Sequence, residues 1–284
     1  MSQAAKNRRD RAAAARDAAN SDERRRERLV RIVGAVTVVA VVFGIIGVAV
    51  YARNSSSGGD AIAAPSADPN AALPATVLPT DDERRYGVPY GTASADAPVL
   101  EVWEDFQCPA CAAVEQANGD GIAALAEAGK IQLVWRPATF LDRANLGGDP
   151  AVANSSTRAT AAWGCAIDAG KTREYHDTLY ANHPDPEGTG YTDEQLIAIA
   201  GEAGISGAEL DTFTQCLADG TYLGWAANSG AAFQEDGIAG TPYAILNGVE
   251  VPTEILADKA SLDALVEKAA EAGASSPSPS PAAS

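Results

Sequence analysis

Cysteine and histidine are scarce in this chain of 284 residues: four cysteines (Cys108, Cys111, Cys165, Cys216) and two histidines (His176, His183). A zinc site built on the close pair Cys108/Cys111 would need two further Cys or His ligands at short spacing. Cys165 and Cys216 are isolated, and the histidines form no paired pattern, so no metal or other cofactor is expected. Positive charge is scarce beyond the start of the chain. Residues 1–31 hold ten Lys/Arg against five Asp/Glu, a net of +5; the whole chain is −17, which leaves −22 for residues 32–284. An acidic body argues against nucleic acid as a partner, because phosphate recognition wants a basic face. Four cysteines allow three pairings, and the close spacing of one pair makes 108–111 with 165–216 the natural one.

Residues 32–52 are 21 positions without a charge, IVGAVTVVAVVFGIIGVAVYA. That length spans a bilayer core as a helix. The basic cluster precedes it, so the N-terminal tail, 1–31, is expected in the cytoplasm and everything after Ala52 outside it. A cleaved signal peptide is the competing reading, but its apolar region is about 7–15 residues long, followed by a small-residue cleavage site. An uncleaved single-pass anchor fits better. Residues 53–85, rich in Ser, Gly, Ala, Pro and Asp, read as a flexible linker, and 273–284 as a disordered Ser/Pro tail.

Residues 86–272 are enough for one core. Apolar runs predict strands at 99–105 and 131–136 with a helix at 109–128 between them. A helical block follows, at 149–168, 172–181, 192–203, 207–217 and 222–236, its breaks marked by Gly, Asn or Pro. Two short strands, 243–246 and 249–251, flank Asn247-Gly248, a strong hairpin signal. A helix at 258–272 closes the domain. The order β-α-β, helical block, β-β-α predicts an α/β (α+β) fold: a small mixed sheet covered by helices, with a helical insertion at about 145–236.

The chemistry is concentrated in Phe106-Gln107-Cys108-Pro109-Ala110-Cys111. Two thiols three positions apart can meet across the first turn of a helix. Pro109 suits the first helical position. Cys108 then sits at the helix N-terminus, where free N–H groups and the macrodipole favour a thiolate, and Cys111 is shielded. Glu104 and Asp105 read as a solvated strand end. The four tryptophans read as core or groove packing, and His176 as a helix-surface residue.

With Ala97-Pro98-Val99, Glu104-Asp105-Phe106-Gln107-Cys108-Pro109-Ala110-Cys111 and Ile238-Ala239-Gly240-Thr241-Pro242-Tyr243 in view, the chain resembles the DsbA-like family of extracytoplasmic thioredoxin-fold thiol-disulfide oxidoreductases, in a membrane-anchored form. The resemblance covers about 86–272. It implies that Cys108 is the exposed nucleophile, that Cys111 resolves the mixed disulfide, and that Pro242 is cis and faces the pair. It also implies that Thr241 offers main-chain groups to an extended client. The partners implied are cysteine-containing exported proteins and a membrane redox protein that resets the pair. Cys165 and Cys216 form a structural disulfide on this reading.

Two departures stand out. Ala110 occupies the place of the His in the family's strong oxidases, which implies a less extreme oxidising potential. Val102 stands where many relatives carry a buried Glu, and Glu104, on the same face of the strand, is a candidate proton relay in its place. Oxidation of clients is the first expectation; reduction or isomerisation by the same fold, or copper handling by the two thiols, are the alternatives.

Overall fold

The computed structural model describes residues 65–144 and 150–275. The proposed anchor at 32–52 lies outside them, and among the described residues no helix is long and apolar enough to cross a membrane. The sheet has five strands: β1 (Val88–Tyr90), β2 (Val99–Glu104), β3 (Gln132–Pro137), β4 (Tyr243–Leu246) and β5 (Val249–Val251), in the order β1-β3-β2-β4-β5. At its centre β2 runs parallel to β3, with Val102 opposite Trp135, and antiparallel to β4, with Trp103 opposite Tyr243. Parallel strands need a crossover, which helix α1 (Pro109–Glu127) supplies.

Alternation along β2 sends Leu100, Val102 and Glu104 to one face and Glu101 and Trp103 to the other. The first face lies in the main core, with Val114, Ile122 and Leu125 of α1 and the aromatics of the helical insertion. On the second face, Trp103 packs with Ala138, Ala232 and Phe233. Arg136 lies 4.1 Å over the Trp103 ring and is paired with Glu101 at 2.8 Å. The β4–β5 turn places Asn247 (φ 50°) and Gly248 (φ 79°) in the left-handed region, as a two-residue hairpin of the primed type demands.

Among the described residues the insertion comprises two 3₁₀ turns (Phe140–Ala144 and Pro150–Val152) and five helices: α2 (Ser155–Asp168), α3 (Thr172–Ala181), α4 (Asp193–Glu202), α5 (Ala208–Ala218) and α6 (Leu223–Glu235). The helix expected over 149–168 therefore starts only at Ser155. Asn154 in the left-handed region (φ 53°) interrupts it. Asp142 accepts hydrogen bonds from the N–H groups of Ser156 (2.7 Å) and Thr157 (2.9 Å), capping α2 from outside the helix. The closing segment is split into α7 (Thr253–Leu256) and α8 (Lys259–Ser275), so positions 273–275 of the expected tail are helical.

The linker reading of 53–85 is corrected over its described part. From Pro65 the chain is laid against the domain as a strap. Leu73 and Val77 pack on the core. Asp68 N donates to Asn228 at 2.8 Å and Ala75 N to Asp168 at 2.8 Å, while Arg85 pairs with Asp236 at 3.0 Å. Composition predicted too little apolar surface to fold, but the strap borrows partners from the insertion. Two helical glycines make its room: a Cβ on Gly164 would come within 2.9 Å of Pro74, and one on Gly224 within 2.7 Å of Ala71.

Cys165 of α2 and Cys216 of α5 form a disulfide across 51 positions. Replacing both with Ala should cost about 4 kcal/mol in the chain-entropy treatment of a loop this long. Guanidinium denaturation of oxidised wild type and the double variant measures it directly.

Candidate active site

Strand β2 ends at Glu104, and Asp105, Phe106 and Gln107 carry the chain to Cys108 at the start of α1. These three residues are each held by the insertion. Asp105 has no exposure; it accepts from Gln107 N (2.9 Å), Leu141 N (3.1 Å) and Ser156 Oγ (2.6 Å). Burial pushes its carboxyl up to about 8 against the hydrogen bonds from Ser156 and Gln107. The Gln107 side chain donates to Ser156 Oγ at 2.7 Å, and the Phe106 carbonyl accepts from the Tyr191 hydroxyl at 3.1 Å. The solvated strand end expected at Glu104 and Asp105 is therefore wrong: both are buried.

Both thiols are free and buried, Cys108 with 6% exposure and Cys111 with none. The exposed nucleophile implied by the family resemblance is corrected to a thiol largely covered, yet less so than its neighbour. Its cover is the segment before β4. There the Thr241–Pro242 peptide is cis, and Cys108 Sγ, as a thiol, donates to the Thr241 carbonyl at 3.3 Å. A hydrogen bond from the Cys111 thiol holds Cys108 down to about 6 in spite of burial, with help from the N–H groups of Cys111 and Ala110 at the helix start. Burial, followed by the neighbouring Cys108 and Glu104, pushes Cys111 well above the usual thiol range. The two thiols are thus electrically unequal, the first disposed to ionise and the second to hold its proton.

Below the pair lies a group of ionisable side chains. Glu104 Oε2 is 3.1 Å from His176 Nε2. His176 has no exposure, contrary to the surface position expected for it, because α3 turns Tyr175, His176, Leu179 and Tyr180 inward together. Its ring is boxed by Trp135 (centroids 4.5 Å apart), Tyr180 (5.1 Å), Trp163 (5.3 Å) and Phe106 (5.7 Å). Burial alone would push the imidazolium down; the Asp177 and Glu104 carboxylates, with Glu115 behind them, outweigh burial and raise it to about 10. Glu115, one turn beyond Cys111 on α1, is pushed well above the carboxylate range by burial and by the charge of Glu104. Donor atoms of Glu104, Glu115 and His176 lie within 4.8 Å of one another, close enough for a metal ion, and neither cysteine belongs to the set.

Cys108, Cys111, Thr241, Pro242 and Glu104 thus converge, while Cys165 and Cys216 are bonded to each other in the insertion. His176 and Glu115 were missed. Their signals were periodic: Glu115 is four positions after Cys111 on one helix face, and His176 lies three and four before the apolar Leu179 and Tyr180.

A family model described as thioredoxin matches residues 85–268. Among solved structures the chain is similar to MdbA, a thiol-disulfide oxidoreductase from Actinomyces oris, at TM-score 0.58 and 22% identity over 72% of this chain and 95% of that one. It is similar to BdbD from Bacillus subtilis at TM-score 0.54 and 17% identity, over 73% of this chain and 100% of that one. It is also similar to DsbA of Mycobacterium tuberculosis at TM-score 0.51 and 23% identity, over 65% and 92%. No curated protein matches. At such identities these structures speak for the fold, while the family match covers most of the chain. The chain belongs to the thioredoxin family.

Proposed function

We propose that this protein is an extracytoplasmic thiol-disulfide oxidoreductase that passes a disulfide from Cys108–Cys111 to cysteines of exported proteins. The observation that carries the proposal is the contact of Cys108 Sγ with the Thr241 carbonyl beside cis Pro242, with Cys111 closed off behind it. Thr241 and Pro242 then form the wall against which an extended client lies, its backbone pairing with main-chain groups at Thr241. A client thiolate attacks Cys108 Sγ, the Cys108–Cys111 bond breaks, and Cys111 leaves with the electron pair. A second client thiolate attacks the client sulfur of the mixed disulfide and expels Cys108 as a thiolate. Two electrons pass from client to enzyme, and a membrane redox partner removes them. Glu104 serves Cys111 as proton relay. The segment 32–52 anchors the protein to the membrane, with residues 1–31 in the cytoplasm.

The oxidase direction is supported by Cys108, whose stabilised thiolate favours the reduced enzyme and so makes the disulfide a better oxidant. With Ala110 between the cysteines and no side-chain donor there, the potential is expected to be moderate. Oxidised protein should restore disulfides to a reduced, denatured client. Cys108→Ser should abolish turnover, and Cys111→Ser should accumulate mixed disulfides visible on non-reducing gels. Failure to oxidise, with reduction or reshuffling intact, would reverse the direction and leave the site; failure of all three would remove the activity.

The thiolate also fixes a pH dependence. The Cys108 pKa lies below its unfolded value near 9.0, at about 6. The stabilisation it gives the reduced form is full above the unfolded value and is lost as pH falls through about 6. Iodoacetamide alkylation of Cys108 should rise through pH 6 and level off before pH 8. The stability gap between reduced and oxidised protein should narrow over the same fall in pH.

A further inference from the structure

Glu104, Glu115 and His176 come from three elements, β2, α1 and α3, and meet in the interior. Each offers one donor atom, and the three atoms lie within 4.8 Å of one another. Two ligands of one zinc ion stand at most about 4.4 Å apart, so a small closing movement brings all three into range. Glu104 is only 4% exposed, and His176 has no exposure. Glu104 Oε1 and Glu115 Oε1 are buried and have no hydrogen-bond partner. Buried carboxylate oxygens are normally paired or bound to a metal ion.

The surroundings match those of a metal-binding histidine. His176 turns Nε2 to the set, 3.1 Å from Glu104, and Nδ1 to Asp177 at 3.3 Å. A carboxylate on the far ring nitrogen fixes the tautomer that leaves Nε2 free to ligate. Asp177 is itself held by Arg173 at 3.0 Å. The rings of Trp135, Tyr180, Trp163 and Phe106 wall off the imidazole and give it an apolar shell. As ligands, two carboxylates and a neutral imidazole carry two negative charges, which one dication cancels. Gly119 leaves room on α1 for this arrangement, since a Cβ there would come within 2.3 Å of Glu115 Oε2. A nitrogen donor and so few ligands suit zinc better than calcium or magnesium, which take about six or more oxygens.

We infer that Glu104, Glu115 and His176 form a binding site for a divalent cation of the zinc class, and that the bound ion favours the reduced CPAC pair. Neither cysteine is among the ligands, so the site is separate from any metal handling by the thiols. The site stands without the exchange reaction proposed above; its effect on the pair rests on that reading. Glu104 is close enough for its charge to act on Cys111. The reduced pair carries a thiolate, whereas the disulfide carries no charge, so a dication on Glu104 binds reduced protein more tightly. By linkage the ion raises the reduction potential of the pair by the same free energy. While the ion is bound, Glu104 is a ligand and not a relay.

Zinc titration of the full-length Cys108→Ser, Cys111→Ser double variant, stripped of metal beforehand, tests the site with no exchange chemistry present. Its outcome is therefore separate from that of the proposed function. One equivalent of Zn²⁺ should bind at pH 8, and nitrogen-15 NMR should show His176 with the metal on Nε2 and a proton kept on Nδ1. In the same background Asp177→Asn should weaken binding roughly 10- to 100-fold, the loss typical of a partner behind a ligand, and Glu115→Gln should weaken it further. Gly119→Ala suits a helix and preserves the fold, yet should also weaken binding by pushing the Glu115 carboxylate aside. Absence of binding, a proton retained on His176 Nε2 with Zn²⁺ present, or unchanged affinity in Glu115→Gln and Gly119→Ala would overturn the site. In glutathione redox buffers, the protein with both cysteines should show a higher potential with Zn²⁺ than with chelator, about 30 mV for each tenfold preference for the reduced form. Glu115→Gln should abolish that rise. Equal potentials, or a rise that persists in Glu115→Gln, would overturn the coupling.

Discussion

The buried carboxyl of Asp105 is the contact on which the rest of the site depends. It takes one hydrogen bond from the loop that leads to Cys108, one from the backbone after β3, and one from the first turn of α2. Three parts of the chain that are far apart in sequence are thereby fixed at one point. Breaking it would leave a buried polar group without partners, which costs more than the bond itself contributes. The insertion is for that reason part of the active-site scaffold, since the strand end, Gln107 and Phe106 are all positioned by insertion residues.

The interior holds paired charges on both sheet faces. On one face Arg136 lies against Trp103 and reaches Glu101 and Asp236. On the other, Glu104 and His176 sit among aromatic rings. Both cations are buried with carboxylate partners and aromatic surface, which is how a charge is kept out of water at tolerable cost. In both places the buried cation is matched by a carboxylate partner.

Much of the scaffold was legible from local signals. Strands at 243–246 and 249–251, the Asn247-Gly248 turn, the helix behind Pro109 and the helix at 172–181 are dictated by short-range chemistry: turn residues, a proline at the first helical position, apolar spacing. The strand β1 was missed because three residues, Val88 to Tyr90, carry no period, and only their pairing with β3 makes them a strand. The strap was missed for a related reason. Its stability resides in partners such as Asn228 and Asp168, which lie far along the chain. Cys108 and Cys111 announced themselves by spacing. His176 did not, since a histidine flanked by Tyr and Asp looks solvated until the helix period is laid over Leu179 and Tyr180.

The strap also has a mechanical consequence. The described chain begins at Pro65, and its first side-chain anchorages are on α6, through Asn228, and on α2, through Asp168. A pull arriving from the residues before it would be taken up by these helices, one of which is covalently stapled to α5. The load path reaches β1 and the sheet only after those contacts. Tension applied at Pro65 would therefore meet the insertion's helices before it met the strand that leads to Cys108.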